Sequence, residues 1–315
     1  MVGGVTLEGT IMPTVFDRGI DDAFVSALNA AYDAGGWWRT LADDTDLLIA
    51  VRSNYLNVYW RGNSLLKVSC EKRRLVGRVH YKYLLRAGRT PDYVLVEDGR
   101  PVIRDPASFL TQNIGDLRSL KAAAKPYAGA EKVGVHDIVM GNSNIVDVEV
   151  AFSVAGTEEG DSGNPRVDFA AIHEMVDEVR LVFFEAKLFS NSEVRAGGDT
   201  PPKVVEQVNR YAALLRQHGE QVERSYRRVF GNLLAMKGVV GRHPERDAVL
   251  RKVLAGEKPL VICDRPRLVL FGFDDDQRRG AVWTKHRGKL VDLLGADRIL
   301  LRGNSVGFTN GISAP

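Results

Sequence analysis

Three consecutive extended segments, apolar on one side and acidic on the other, constrain the fold of this 315-residue chain more than any other feature. They cover residues 144–154, 166–174 and 180–189 and are rich in Val and Phe, which favour strands. Because successive side chains of a strand point to opposite faces, positions two apart share a face. The sequence therefore predicts a sheet with one apolar face and one face that gathers acidic residues.

The alternation assigns each side chain to a face. The predicted apolar face consists of Val146, Val148, Val150 and Phe152, then Val167, Phe169 and Ala171, then Val182, Phe184, Ala186 and Leu188. The charged residues predicted on the opposite face are Asp147, Glu149, Arg166, Asp168, Glu185 and Lys187. Carboxylates buried in such a sheet must be paired or bind a cation, and hard oxygen ligands suit Mg²⁺ or Mn²⁺. The alternative is that this face lies in water and its acids are simply solvated.

The flanking segments predict the rest of the fold. A helix is expected over 106–124, with Asp105 as its N-cap and Pro106 at its first position, and a second helix over 129–140. The elements expected after the three strands are helices over 203–218 and 221–236, a strand over 267–273, a helix over 279–294 and a strand over 298–302. This pattern predicts an α/β domain over 105–315, with a central mixed sheet flanked by helices.

Residues 1–104 predict a separate α+β unit. A helix over 20–34 precedes the Gly35–Gly36 pair, and an antiparallel meander follows over 46–53, 55–60, 64–69, 75–84 and 93–97. On this meander Tyr55, Tyr59, Trp60, Tyr81 and Tyr83 alternate with basic residues, a composition that can stack bases and hold phosphates. The interpretation favoured from the sequence is that these aromatic residues form the meander's own core under a charged rim.

The triplet Glu185-Ala186-Lys187 narrows the chemistry, because no other Glu or Asp of the chain has a Lys two places further on. A metal-bound carboxylate beside an ammonium group can orient a water next to a phosphate and help to deprotonate it. On the following helix, Gln207 and Tyr211 lie one turn apart and share a face. The apolar stripe that should pack this helix on the sheet is Val204, Val208, Ala212 and Leu215.

Taken in order, Arg166-Val-Asp168-Phe, Phe184-Glu185-Ala-Lys187-Leu and Gln207-Val-Asn-Arg-Tyr211 resemble the PD-(D/E)XK nuclease superfamily, in particular its RecB-like branch with a QxxxY motif. The resemblance covers about residues 105–275 and implies that family's helix, three strands, helix and strand. It implies that Asp168, Glu185 and the main-chain carbonyl of Ala186 bind Mg²⁺, with Mn²⁺ as a substitute. Lys187 would position the attacking water, and Gln207 and Tyr211 would brace the site or contact the nucleic acid backbone.

The sequence departs from the family's pattern at two points. Pro165 lies three residues before Asp168 and not directly before it. Many members also supply an acid from the first helix, where this chain has only Asp116, while Glu131 lies further on. Glu149 is therefore the candidate for a third metal ligand, and the number of bound metal ions stays open.

The resemblance implies a Mg²⁺-dependent nuclease that hydrolyses DNA, with a role in bacterial defence or restriction. One alternative is an inactive nucleic-acid-binding or scaffold protein on the same fold, and another is a ribonuclease with the same site. The 1–104 unit would sense a target, bind a protein partner or mediate homo-oligomerisation. With no targeting signal, no membrane-length apolar run and only two cysteines, Cys70 and Cys263, the chain is expected in the cytoplasm.

The sequence lacks the motifs of two other kinds of site, namely nucleotide-binding glycine loops and zinc centres. It contains neither the GxxxxGK[ST] phosphate-binding loop nor a GxGxxG after a predicted strand. Its six histidines show neither HxH nor HExxH spacing, so a zinc centre is not predicted.

Overall fold

The computed structural model describes residues 16–84, 93–102, 113–153 and 164–303 and shows a mixed α/β architecture with two sheets. The first sheet is an antiparallel meander in the order β1 to β6, as predicted for the N-terminal region. Its strands are β1 (Leu48–Val51), β2 (Leu56–Trp60), β3 (Asn63–Glu71), β4 (Arg74–His80), β5 (Tyr93–Glu97) and β6 (Arg100–Pro101).

The second sheet is mixed. Its strands are β7 (Ile145–Ala151), β8 (Arg166–Glu174), β9 (Val179–Leu188), β10 (Leu260–Ile262), β11 (Arg267–Phe271) and β12 (Ile299–Arg302). The main path runs β12-β11-β9-β8-β7, and β10 pairs with β9 off this path. Strand β8 is antiparallel to both of its neighbours, β7 and β9, whereas β10, β11 and β12 extend the sheet in parallel. The central mixed sheet predicted from the sequence is therefore confirmed.

Eight α-helices lie within the described residues: α1 (Asp22–Asp33), α2 (Trp37–Asp43), α3 (Leu117–Ala124), α4 (Ala130–Met140), α5 (Lys203–Ala235), α6 (Pro244–Leu254), α7 (Asp275–Arg279) and α8 (Ala281–Leu294). The predictions over 20–34 and 129–140 are confirmed as α1 and α4. The two helices predicted over 203–218 and 221–236 correspond to the two arms of α5, which meet at a kink at His218, where φ is −120°. Helix α2, helix α6 and strand β10 were not predicted.

Helix α3 begins later than predicted. Asp116 is its N-cap and accepts a hydrogen bond from the amide of Ser119, so residues 113–116 are not helical. The predicted cap at Asp105 and the predicted domain boundary between 104 and 105 lie outside the described residues. One cluster of buried apolar side chains includes Trp38 of α2 and Val79 of the meander together with Phe183 of β9 and Tyr226 of α5.

The two faces of the second sheet pack in different clusters, and β9 alternates between them as predicted. Leu181 and Phe183 join the first cluster, which includes Trp38 and Val79, whereas Val182, Phe184 and Ala186 join a second cluster, which includes Ala50 and Tyr59. The prediction for β7 is wrong, since Val148 lies in the second cluster while Val146, Val150 and Phe152 lie in the first. In β8 likewise Val167 packs apart from Phe169 and Ala171.

Irregular backbone in β7 explains this error. The pairing with β8 shifts register between Ile145 and Asp147, and Glu149 adopts the left-handed region at φ 51°. Either feature breaks the two-residue period of a strand. Asp147 and Glu149, predicted to share a face near the candidate site, therefore have different surroundings.

Asp147 is buried in a cluster of charges that joins the N-terminal region to the second sheet. Its Oδ1 lies 2.7 Å from Nη1 of Arg52 and its Oδ2 lies 3.9 Å from Nε of Arg18. The hydroxyl of Tyr226 on α5 donates to Oδ2 over 3.1 Å. Arg18, Arg52 and Asp147 are each less than 5% exposed. Two guanidinium groups thus share one carboxylate in the interior.

Helix α4 lies against the second cluster at close range because it has a glycine at the contact. A Cβ atom on Gly134 would lie 2.1 Å from Cε2 of Phe271, so a larger residue would push the helix off β11. A glycine within a helix costs about 0.5–1 kcal/mol relative to alanine, which this contact offsets. The close approach brings Glu131, at the start of α4, to the end of β9.

We expect Asp147→Asn to lower the free energy of unfolding by about 3–5 kcal/mol, since two buried arginines would lose their shared counter-charge. The two side chains have nearly the same shape, so a cavity would not account for the loss. Chemical denaturation monitored by circular dichroism measures the effect. A loss below about 1 kcal/mol, the size typical of an exposed ion pair, would contradict the expected role of this buried carboxylate.

Stability should also depend on His173 of β8. Burial, and to a smaller extent the charge of Arg267, lower the pKa of His173 to about 4 from 6.5. The unfolded chain therefore takes up a proton at pH values where the folded chain does not, so stability is full above pH 6.5 and is lost as the pH falls towards 4. We expect wild type to lose about 3 kcal/mol more over this interval than His173→Phe, measured by urea denaturation at each pH. Parallel curves for the two proteins would contradict this assignment.

Candidate active site

The candidate site lies where β8 and β9 separate. Their ladder ends at the pair Phe169–Phe184, although both strands continue past it. Beyond that pair, two main-chain amides of β9 donate hydrogen bonds to carboxylates. The amide of Ala186 donates to Oδ2 of Asp168 over 2.7 Å. The amide of Leu188 donates to Oε2 of Glu131 over 3.0 Å. Because the N–H and C=O of one strand residue point to the same side, the carbonyl of Ala186 faces Asp168 as well.

Glu185 and Lys187 lie next to each other on the face of β9 that the sequence predicted. Oε1 of Glu185 is 2.9 Å from Nζ of Lys187, and the same Nζ is 2.9 Å from Oε2 of Glu193. Residues Glu185 and Lys187 are 3% and 8% exposed, so this is a buried ion pair. The lysine is therefore held in place by two carboxylates.

Glu193 was missed from the sequence. It belongs to a 3₁₀ turn, Ser192–Val194, whose N-cap Asn191 accepts a hydrogen bond from the Glu193 amide. The Asn-Ser-Glu sequence directly after a strand is typical of such a turn and could have placed this residue beside the strand end.

The charges of the site perturb one another. Burial and the neighbouring carboxylates of Glu185 and Glu149 raise the pKa of Asp168 well above its ordinary value, against the opposing effects of the Ala186 amide and Lys187. Burial also raises the pKa of Glu185 to about 7, although Lys187 and Tyr211 act in the other direction. Both acids thus hold their negative charge at a free-energy cost that a nearby cation would reduce.

Lys187 shows the opposite balance. Burial alone would lower the pKa of its amine, but Glu185 and Glu193 outweigh burial and raise that pKa. Lys187 is therefore a cation at neutral pH. It can donate hydrogen bonds and stabilise negative charge, but it cannot serve as a general base.

Helix α5 brings Gln207 and Tyr211 to the same place. Tyr211 is buried, and its hydroxyl donates to the main-chain carbonyl of Arg166 over 2.6 Å, which braces the start of β8 next to Asp168. One turn earlier, Oε1 of Gln207 is buried with no hydrogen-bond partner among the described residues. The predicted apolar stripe of α5, formed by Val204, Val208, Ala212 and Leu215, is buried.

Glu149 lies at the edge of the site, where its carboxylate is paired with an arginine. Its Oε2 lies 3.2 Å from Nη1 of Arg166, and its charge contributes to the raised pKa of Asp168. Its left-handed backbone, at φ 51°, is uncommon for a residue with a long side chain and costs of order 1–2 kcal/mol. Asp147, two positions earlier, takes no part in the site because it belongs to the buried charge cluster with Arg18 and Arg52.

Glu131, the acid that lies beyond the predicted first helix, borders the site. It lies on α4, it lines a cavity of 160 Å³ together with Glu149 and Asp168, and its Oε2 also accepts a hydrogen bond from Nδ2 of Asn191 over 2.7 Å. The cavity has room for several water molecules. Asp116, the other acid considered there, caps α3 instead.

The donor set suits a small divalent cation of the magnesium type. Oε2 of Glu185 is buried with no hydrogen-bond partner in the described chain, and a buried acceptor of this kind calls for a cation or a donor. No group of three or more His, Cys, Asp and Glu side chains among the described residues is arranged to hold a metal ion. A site here would thus depend on Asp168, Glu185 and the Ala186 carbonyl, with water completing the shell, which is how Mg²⁺ is commonly bound.

No protein-family model, curated protein or solved structure matches this chain. The described helices include none that is long and apolar enough to span a membrane. The function must therefore be argued from the residues of the site and their geometry.

The left-handed backbone at position 149 can be tested apart from its carboxylate. Glu149→Gly and Glu149→Ala both remove the ion pair with Arg166, but only glycine adopts a positive φ without steric cost. We expect the glycine variant to be more stable than the alanine variant by about 1 kcal/mol, the reverse of the usual order within a strand. Urea denaturation of the two variants measures this difference, and a more stable alanine variant would contradict the observed backbone.

Proposed function

We propose that this protein is a Mg²⁺-dependent nuclease of the PD-(D/E)XK type that hydrolyses phosphodiester bonds of DNA. The observation that carries the proposal is the unpartnered Oε2 of Glu185, buried beside Asp168 and the Lys187 ammonium at the open edge of β9. An acceptor oxygen, a second carboxylate and a fixed cation in one place are what metal-assisted attack on a phosphate requires.

The residues divide the chemistry among them. Asp168, Glu185 and the Ala186 carbonyl would hold the metal ion, with Glu149 as the candidate third acid, and Mn²⁺ could substitute for Mg²⁺. The bound ion supplies charge neutralisation at the phosphate and acidifies a water molecule. Lys187 orients that water and stabilises the negative charge that builds on the phosphate oxygens, because Glu185 and Glu193 hold its amine protonated and in place. Tyr211 braces the start of β8, and Gln207 presents its amide next to it.

The order of elements supports the same proposal. Helix α4, strands β7 to β9, helix α5 and the parallel strand β11 occur along the chain in the order helix, three strands, helix, strand, with helix α6 and strand β10 inserted between α5 and β11. The family's core, as the sequence resemblance implies it, has the same order. The acids and the lysine lie on the second and third strands of this series, and Gln207 and Tyr211 lie on the helix that follows.

We expect Glu185→Gln and Lys187→Met each to lower the rate of DNA cleavage by at least about 100-fold, since each removes a charge aimed at the transition state. Purified protein incubated with DNA in Mg²⁺, and in EDTA as a blank, provides the measurement. Glu178→Gln is the matched control: it makes the same chemical change beside the opposite end of β9, where Glu178 pairs with Arg180. Full activity in either site variant would overturn the assigned roles.

The same assay separates the competing functions. RNA in place of DNA identifies a ribonuclease if RNA alone is cut. If neither is cut, calorimetric titration with Mg²⁺ decides whether an inactive scaffold is the better description, because a scaffold should show no metal affinity that depends on Asp168. In a nuclease, Asp168→Asn should abolish metal binding, and Glu149→Gln should weaken it only if Glu149 is a ligand.

A further inference from the structure

We propose that a groove between the meander and the β7–β8 edge of the second sheet binds a single-stranded segment of nucleic acid and leads it to Asp168. The groove is defined by Tyr55, Lys67, Lys82, Tyr93 and Lys132 and is called the tyrosine–lysine groove below. The direction of the strand towards Asp168 rests on the proposed nuclease function, whereas the binding itself does not.

The groove and the candidate site are continuous. The groove has a volume of 290 Å³, and it shares Tyr59, Gly62, Lys132 and Glu149 as lining residues with the cavity that reaches Asp168. A ligand lying along the meander would therefore pass Glu149 and Arg166 before it met the acids of the site. The volume lies near the lower end of small-ligand pockets, about 300–1,000 Å³, which suits one nucleotide unit at a time.

The charge of the groove is positive and largely uncompensated. Within the described residues, no carboxylate lies at salt-bridge distance from Lys67, Lys82 or Lys132. Among the described residues that line the groove, Glu149 is the one acid, and it is paired with Arg166. Burial, and to a smaller extent the charge of Lys132, lower the pKa of Lys82, so the two amines lie close enough to repel each other. A phosphate backbone would relieve this repulsion.

Aromatic rings alternate with these amines. Nζ of Lys67 lies 5.6 Å from the ring centroid of Tyr55 and 5.3 Å from that of Tyr93, and Nζ of Lys82 lies 4.9 Å from that of Tyr83. Tyr93 is 46% exposed, so its ring is accessible to a ligand. The side chains of Tyr59, Trp60 and Tyr83 are buried, which confirms the core interpretation for those residues but leaves Tyr55 and Tyr93 for the groove.

This combination favours a single strand over other polyanions. An aromatic side chain can stack only on a base that is not already stacked, and the bases of a duplex are stacked on one another. An acidic peptide could neutralise the lysines, but it offers no base to stack on the exposed ring of Tyr93. A single strand offers phosphates to the lysines and an unstacked base to that ring.

The test is binding of a labelled oligo-dT of about 15 nucleotides to the full chain in EDTA, so that cleavage plays no part. Fluorescence anisotropy at several salt concentrations gives the slope of log affinity against log salt. We expect Lys67→Gln/Lys82→Gln to reduce the magnitude of that slope by about 1.4, because two phosphate contacts on a single strand are lost. We expect Tyr93→Ala to weaken binding by roughly fivefold or more.

The control is Lys72→Gln/Arg73→Gln, which removes two positive charges at the exposed tip of the β3–β4 hairpin, outside the groove. This variant should retain the wild-type slope, and matching thermal midpoints would show that each variant is folded. The groove is refuted if the Lys67/Lys82 variant keeps the wild-type slope, or if the hairpin control loses as much. It is also refuted if a blunt duplex binds as tightly as oligo-dT, or if polyglutamate displaces labelled oligo-dT as effectively as unlabelled oligo-dT does.

These outcomes are independent of the nuclease proposal. Salt-dependent oligo-dT binding through Lys67 and Lys82 without Mg²⁺-dependent cleavage would keep the groove and remove the nuclease. Cleavage that depends on Glu185 together with an unchanged binding slope would do the reverse.

Discussion

The buried carboxylate of Asp147 is the contact on which the arrangement of the two sheets depends. Arg18 and Arg52 come from the N-terminal region, Asp147 from β7, and Tyr226 from the long helix α5, so one side chain joins three parts of the chain. Charges in an apolar interior are tolerated only in a geometry that satisfies them, and this geometry fixes the meander against the second sheet. The groove depends on that relative position, because its lining comes from both the meander and the β7–β8 edge.

A second buried pair, Glu185–Lys187, has a different character. Asp147 has donors for both of its carboxylate oxygens, whereas Glu185 has Lys187 for one oxygen and nothing among the described residues for the other. A fully satisfied cluster serves to hold structure. In an incompletely satisfied cluster the pKa values of the acids are raised, as they are for Asp168 and Glu185, and a bound cation would be favourable. We therefore place the proposed chemistry at Glu185 and not at Asp147.

The sequence predicted best where the backbone is regular. Strand β9 alternates without interruption, so the placement of Glu185 and Lys187 on one face followed from the two-residue period alone. Strand β7 does not alternate regularly. Its register shift and the left-handed backbone of Glu149 place Asp147 and Glu149 in different surroundings, and a two-residue period in the sequence cannot predict such irregularities. Glu193 was missed because its contact with Lys187 depends on how the chain turns after β9. Strand β10 has only three residues, too few for a pattern, and its pairing with β9 is non-local.

The irregularity of β7 also explains how one short strand can contribute both to the buried charge cluster between the sheets and to the edge of the candidate site. A regular strand would place positions 147 and 149 on the same face, so that both acids would lie either in the buried arginine cluster or in the groove. A second carboxylate in the cluster would compete for Arg18 and Arg52, and a second one in the groove would oppose the lysines that we propose to bind phosphate. The strained backbone at Glu149 separates the two acids, and its cost of order 1–2 kcal/mol is small beside that of a misplaced buried charge.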